Sequence, residues 1–120
     1  MPNETQKPYK GSQATPAPPT LENAKTFAEF FPLYMQEHQH PLCRRMHFIG
    51  SILGIVGLLT FSATGRPEAI GAGVIAGYAC AWVGHAGFEK NKPASFKRPW
   101  FSFLGDWAMF RDMLGGRLPF

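Results

Sequence analysis

Charge is missing where the chain is most apolar. No Asp, Glu, Lys or Arg occurs in residues 48–64 or in residues 69–84. A soluble domain of this size does not need two such runs, and each is near the lower limit of about 17 to 25 residues for a membrane span. Acidic residues are few throughout, 8 against 12 basic ones, for a net charge of +4. Cysteine is scarcer still. Cys43 and Cys80 have no metal-binding spacing and read as free thiols in a reducing setting, not a disulfide. The chain has no nucleophile elbow, and Cys80 lies inside an apolar run, which disfavours a serine or cysteine hydrolase. No signal peptide is expected, because the first apolar run begins after residue 20 and is amphipathic. The basic residues flank the apolar runs and form no face of their own, so nucleic acid is not an expected partner.

Two apolar helices remain, residues 47–63 and 69–89, joined by a short polar turn at residues 64–68. So short a loop makes them antiparallel, which places His47 and His85 on one side of the hairpin. Each helix carries a ridge of small residues ending in a histidine. In the second, Gly73, Gly77, Ala81 and His85 recur every four residues; in the first, His47, Gly50, Gly54 and Gly57 step by 3, 4 and 3. Residues at these spacings share a helix face, and small ridges let membrane helices pack closely. Packed within one chain, the ridges bring the two imidazoles together; packed between chains, they make an oligomer. Arg44 and Arg45 precede the first span, and Lys90, Lys92, Lys97 and Arg98 follow the second. The positive-inside rule then places both termini of a multi-pass protein in the cytoplasm, which in a bacterium means the inner membrane. The same charges suit anionic head groups of the bilayer.

The expected fold is all-α: a membrane hairpin of two transmembrane helices flanked by two amphipathic interfacial helices. One domain, residues 20–120, follows a polar, Pro-rich tail, residues 1–19, expected to be disordered. Thr20 suits the N-cap of the first flanking helix, whose apolar face carries Phe27, Phe30, Phe31, Tyr34 and Met35. Pro32 should kink it or mark its restart, and Pro41 should end it. The second flanking helix, residues 100–118, sets Trp100, Phe101, Phe103, Trp107 and Phe110 among charges, as an interfacial helix does. With Pro41 breaking the chain, His38 and His40 fall in a turn close to His47, so all four histidines gather at one membrane face. Imidazole is the commonest metal ligand, and four converging ones suggest a metal site; the plain alternative is polar residues at a membrane interface. Glu89, four residues after His85, and Asp106 are candidate ligands or proton acceptors, though such carboxylates more often face water.

The segments FAEFFPLYMQEHQHPLCRRMHFIG and WVGHAGFEKNKPASFKRPWFSFLGDWAMF carry four blocks: Tyr-x3-His, Arg-Arg-x-His-x2-Gly, Gly-His-x2-Phe-Glu-Lys-x2-Pro-Ala and Gly-Asp. Together they resemble the short bacterial form of the DUF962, or Mpo1-like, family over nearly everything after residue 20. In its fungal branch this family is associated with an iron(II)-dependent dioxygenase of the endoplasmic reticulum membrane, which converts a 2-hydroxy fatty acid into a fatty acid one carbon shorter. The resemblance implies Fe(2+) as cofactor and His38, His47 and His85 as metal ligands, with Glu89 nearby. His40 departs from the fungal His-His-Asn arrangement, and the extra apolar segments of longer members are missing. A membrane lipid or fatty acid is the implied substrate. Its carboxylate would be met by Arg44, Arg45 or Lys90, and its tail would lie beside Phe48, Ile52 or Val83. The competing readings are a non-catalytic membrane interaction protein and a haem carrier with His47 and His85 as axial ligands.

Overall fold

The computed structural model describes residues 17–120; the tail expected over residues 1–19 lies outside these but for its last three positions. The described residues form helices and no strands: α1 Phe27–Gln36, α2 Pro41–Thr64, α3 Glu68–Gly84 and α4 Pro99–Leu114. A π-helical turn, His85–Glu89, extends α3, and a 3-10 turn, Ala94–Phe96, leads into α4.

The hairpin is α2 against α3. Gly65 closes α2 in the left-handed conformation, φ 70°, where a side chain would be strained, and its N–H returns to the Phe61 carbonyl at 2.7 Å. The two backbones then meet along the glycine ridges. A Cβ on Gly50 would lie 2.7 Å from the Gly77 carbonyl oxygen, and one on Gly57 would lie 2.6 Å from that of Ala69. The ridges are therefore used within the chain. At the other end, Gly84 leaves the hollow that seats Cys43, with a hypothetical Cβ only 3.2 Å from its sulfur. Both cysteines are free thiols.

Two helices, α2 and α3 with its π turn, are long and apolar enough to cross a membrane. At about 1.5 Å per residue each matches a hydrocarbon core of roughly 30 Å. Only 22 % of the most apolar window of each is buried within the protein. Ile49, Val56, Leu58, Leu59, Ile75 and Val83 all point outward. A core helix of a soluble protein would bury these side chains, whereas a lipid-facing helix leaves them to the hydrocarbon.

The flanking helices pack on each other. Phe30 and Tyr34 of α1 join Met109 and Met113 of α4 in the core, with Ala24 and Ala94. Arg98 ties the preceding strap down: its Nη1 donates to the carbonyls of Leu21, Glu22 and Ala24, and its guanidinium lies 4.5 Å from the Phe101 ring centre. The apolar face of α1 is thus covered by α4, while Trp100, Phe103 and Leu114 of α4 stay exposed.

Several local expectations are corrected. Thr26, not Thr20, caps α1, accepting from the Glu29 N–H; Thr20 instead exchanges hydrogen bonds with Asn23 in a turn. Pro32 marks no restart, since α1 runs through it from Phe27 to Gln36. Pro41 does not merely stop α1. It is the first residue of α2, where its missing N–H costs nothing, and His40 is the N-cap, its Nδ1 accepting from the Leu42 N–H. The helix therefore begins six residues before His47, which lies in its second turn, and Arg44 and Arg45 are helical too.

If the close backbone approach holds the hairpin, Gly50→Leu and Gly57→Leu should each cost about 3 kcal/mol or more by overpacking. Gly71 has open space around the position of a Cβ, so Gly71→Leu should leave thermal unfolding in detergent near that of the parent. Equal unfolding temperatures for all three variants would contradict this packing.

Candidate metal centre

Three imidazoles from three elements meet at one end of the hairpin. His38 follows the C-terminus of α1, His47 is on α2, and His85 opens the π turn. All three are buried, with 1 %, 5 % and 1 % of their surface exposed. The Nε2 atom of His38 lies 3.2 Å from that of His47 and 3.0 Å from that of His85. The ring centres of His47 and His85 are 4.9 Å apart, and the three rings stand nearly perpendicular to one another, at 80° to 84°.

The opposite nitrogens decide where the protons are. His38 Nδ1 lies 2.7 Å from the Tyr34 carbonyl oxygen, His47 Nδ1 lies 2.9 Å from that of Cys43, and His85 Nδ1 lies 2.6 Å from Asn91 Oδ1. A carbonyl oxygen only accepts, so each Nδ1 carries the proton. The Asn91 amide is oriented in turn, because its Nδ2 donates to the Glu37 carboxylate at 2.7 Å and the Glu37 carbonyl at 3.2 Å. Each Nε2 is then a bare lone pair, and the three face one another among buried side chains. Burial, with the neighbouring His47 adding to it, holds His38 well below the ordinary imidazole pKa and so neutral.

A single proton can bridge only one pair of these nitrogens. A metal ion satisfies all three. Among the described residues, His38, His47 and His85 form a group whose ligand atoms lie within 4.8 Å of one another. The 3.0 and 3.2 Å separations suit neighbouring donors on one ion, which lie roughly 3 Å apart when imidazole binds at about 2.1 Å. Three neutral nitrogen donors with fixed outer partners are the pattern of a metal-ligating histidine set. A haem does not fit between His47 and His85, since the His38 nitrogen lies against both.

The backbone explains how the rings converge. His38 completes the last turn of α1, binding the Tyr34 carbonyl four residues back. At the end of α3 the helix widens into the π turn, a feature often found at functional sites. Lys90 then takes a left-handed conformation, φ 57°, which costs a non-glycine residue roughly 1 to 2 kcal/mol. That reversal carries Asn91 back to His85.

The remaining candidates are placed elsewhere. His40 caps α2 and stacks on Phe88 at 5.1 Å between ring centres. Glu89, the last residue of the π turn, has its carboxylate engaged elsewhere: it accepts the His40 backbone N–H at 2.5 Å, at the positive end of α2. Arg44 donates to the carbonyls of His38 and Gln39, and Arg45 donates to that of Phe120 while packing on its ring. Lys90 is exposed.

Asp106 is different. Tyr34, which stacks on His38 at 4.0 Å between ring centres, donates its hydroxyl to the Asp106 carboxylate. Gly105 makes room for the Tyr34 ring, which a Cβ there would approach to 3.1 Å. Burial raises the Asp106 carboxyl to about 6, against the opposing pull of the Tyr34 hydrogen bond. Burial and the Asp106 charge raise Tyr34 well above the ordinary phenol value. Asp106 and His47 both line a groove of about 200 Å³ between α2, α3 and α4. Its other walls are Gly50, Ser51, Gly54, Gly73, Val74, Gly77, Tyr78, Ala81, Phe103 and Trp107. Sequence reasoning missed Tyr34, Glu37 and Asn91 as site residues. The Tyr-x3-His spacing carried a signal for the first; nothing local marked the other two.

A family model described as "2-hydroxy-palmitic acid dioxygenase Mpo1-like" matches residues 24–118. The chain belongs to the Mpo1-like family. No curated protein matches it significantly, and neither does any solved structure.

Two outcomes are expected. His38→Ala, His47→Ala and His85→Ala should each abolish stoichiometric metal binding, while Asn91→Ala should weaken it about 10- to 100-fold and His40→Ala should leave it intact, as read by metal analysis and titration of the purified protein. For Asp106, the neutral form is favoured in the fold. That contribution is complete below the unfolded value of about 4 and is lost as pH rises through about 6. Asp106→Asn, which cannot ionise, should therefore gain stability relative to its parent across this window in metal-free protein. A difference that stays flat with pH would refute the raised carboxyl.

Proposed function

We propose that this Mpo1-like protein is a membrane-embedded iron(II)-dependent dioxygenase acting on a 2-hydroxy fatty acid or a closely related lipid acid. The observation that carries the reading is the set of three proton-free Nε2 atoms, one of whose rings, His47, also lines an apolar groove. The family's description supplies the reaction class and the acid. His38, His47 and His85 hold the ion. Imidazole suits iron(II), and three protein ligands leave positions for other ligands. The bound metal would bring dioxygen and the 2-hydroxy acid together and supply the electrons that begin dioxygen reduction.

The overall reaction balances as R–CH(OH)–COOH + O2 → R–COOH + CO2 + H2O. The bond between the carboxyl carbon and the hydroxyl-bearing carbon breaks. The hydroxyl-bearing carbon becomes the new carboxyl, and dioxygen takes up four electrons. Asp106, poised by burial and bonded to Tyr34, is the group on this chain suited to hold a proton beside the groove. Glu89 acts at a distance, fixing the entry of α2 through the His40 N–H. Arg44 and Arg45 are engaged by backbone carbonyls and serve the fold, so Lys90 is the better partner for an acid head group arriving from the membrane surface.

The protein crosses the membrane twice with both ends in the cytoplasm. Arg44, Arg45, Lys90, Lys92, Lys97 and Arg98 all belong to the end of the hairpin that holds the histidines, whereas the opposite turn has Arg66 against Glu68. The metal centre then lies at the cytoplasmic leaflet.

Iron-loaded protein in detergent or nanodiscs, given 2-hydroxy-palmitic acid in air, should consume one dioxygen and release one carbon dioxide for each shortened acid formed. His85→Ala should abolish turnover. Folded, iron-loaded protein that yields no shortened product from any 2-hydroxy acid would overturn the assignment and favour a non-catalytic membrane protein.

A further inference from the structure

The groove beside His47 is bounded by glycines, and they are not alike. Of the five on the facing ridges, Gly50, Gly57, Gly73 and Gly77 each sit against the opposite backbone, where a Cβ would come within 2.6 to 3.0 Å of a carbonyl oxygen. Their lack of a side chain is required by helix packing. Gly54 has no such reason: a Cβ there meets nothing within 4 Å among the described residues. Glycine inside a helix costs roughly 0.5 to 1 kcal/mol relative to alanine, so at Gly54 the cost is not offset by close approach. What the missing side chain leaves is the open floor of the groove.

The groove has a direction. At one end are His47, with 5 % of its surface exposed and its Nε2 lacking any proton donor among the described residues, and the Asp106 carboxylate. From there it follows α2 through Gly50 and Ser51 to Gly54, about 10 Å along the helix axis. Val74 and Tyr78 of α3 form one wall, and Phe103 and Trp107 of α4 another. Gly54 and Gly73 are its lining residues nearest the hairpin turn. Phe48, Ile52 and Val83, the residues the sequence suggested for the tail, are not on this path: Phe48 packs against Phe110 at 4.7 Å between ring centres, and Ile52 and Val83 face outward.

We propose that this groove takes the unbranched hydrocarbon chain of the acid substrate, and that Gly54 is the specificity-determining residue that lets a long chain lie along it. The inference rests on the function proposed above for the same site. The continuity of the groove with the metal centre through His47 fixes which end of the ligand enters first. An acid head reaches the imidazoles, and the tail runs back along the span. A side chain at position 54 occupies the far part of the groove and leaves the part next to His47 unchanged.

The test uses full-length, metal-loaded protein in nanodiscs and two acids, 2-hydroxy-palmitic acid and 2-hydroxyoctanoic acid. Binding is read by displacement of a fluorescent straight-chain fatty acid, and oxidation by product analysis. Gly54→Leu should weaken 2-hydroxy-palmitic acid at least tenfold while changing 2-hydroxyoctanoic acid by less than twofold. Gly54→Ala should be intermediate, and metal content and unfolding temperature should stay at the parent's values. Gly71→Leu, on the outward side of α3, should behave as the parent. Equal loss of both acids, or no loss of either, in a metal-loaded Gly54→Leu protein overturns the proposal, as does a parent that binds neither acid. If the parent binds both acids but oxidises neither, the oxidative function fails alone, and the binding data still decide the role of Gly54.

Discussion

Three nitrogen lone pairs pointed at one another, without a proton among them, are the constraint on which the rest of the structure turns. Each imidazole gives its only proton outward, to Tyr34, to Cys43 or to Asn91. Turning a ring inward would break an outer hydrogen bond that burial makes costly to lose. The arrangement therefore holds unfavourable electrostatics at its centre unless a cation is present. A buried polar cluster satisfied on its outer side and unsatisfied on its inner side is difficult to explain as packing, and simple to explain as a ligand set.

The elements that supply the rings are held by different means. His47 is placed by the glycine ridges, whose backbone contacts leave α2 little freedom to slide or rotate against α3. His38 depends on the end of α1, where it bonds a carbonyl at the negative end of the helix dipole. That helix is locked in turn through Tyr34, whose ring lies over Gly105 and whose hydroxyl reaches Asp106. His85 depends on the least regular stretch of all, the π turn and the left-handed Lys90. It is also the one imidazole of the three whose outer partner is a side chain. Strain and irregularity collect where the chain must return a distant group to the site.

What the sequence disclosed follows the range of the physics involved. The hairpin was legible because uncharged runs and short polar turns are local, and the small-residue ridges were legible because helical periodicity maps them to one face. His38, His47 and His85 could be named as candidates because all fall near one end of two predictable spans. Boundaries governed by single residues were harder. Pro41 reads equally as a stop for one helix and as the first residue of another, and only the cap made by His40 distinguishes these. The π turn was not legible. Glu89 bonds the His40 N–H at the start of α2, a contact set by where the irregular turn leaves the backbone and not by local spacing. Asn91 was invisible for the same reason, since its approach to His85 depends on one backbone reversal at Lys90. Phe48, Ile52 and Val83 were plausible walls for a tail because they are apolar, but apolarity does not say whether a residue on a spanning helix faces lipid or a groove.

The charge of the donor set bears on why such a centre would sit at the end of a membrane hairpin. Three neutral imidazoles remove none of the formal charge of a divalent ion. The nearby carboxylate at Asp106 has its pKa raised by burial and is already bonded to Tyr34, and Glu89 is committed to the His40 N–H. A ligand that brings its own anionic group is then favoured by electrostatics in a low-dielectric site, and one that also brings an apolar chain is favoured by the groove. An ionised fatty acid carries both, and in a bilayer it rests with its head at the polar boundary and its tail in the hydrocarbon. In the topology proposed above, histidines at the level of the head groups and a groove running from His47 along the hairpin would match that posture without requiring the acid to leave the membrane. The same logic divides the work of the short helices: Phe103 and Trp107 of α4 wall the groove beside the hairpin, while α1 leads into His38 of the imidazole cluster.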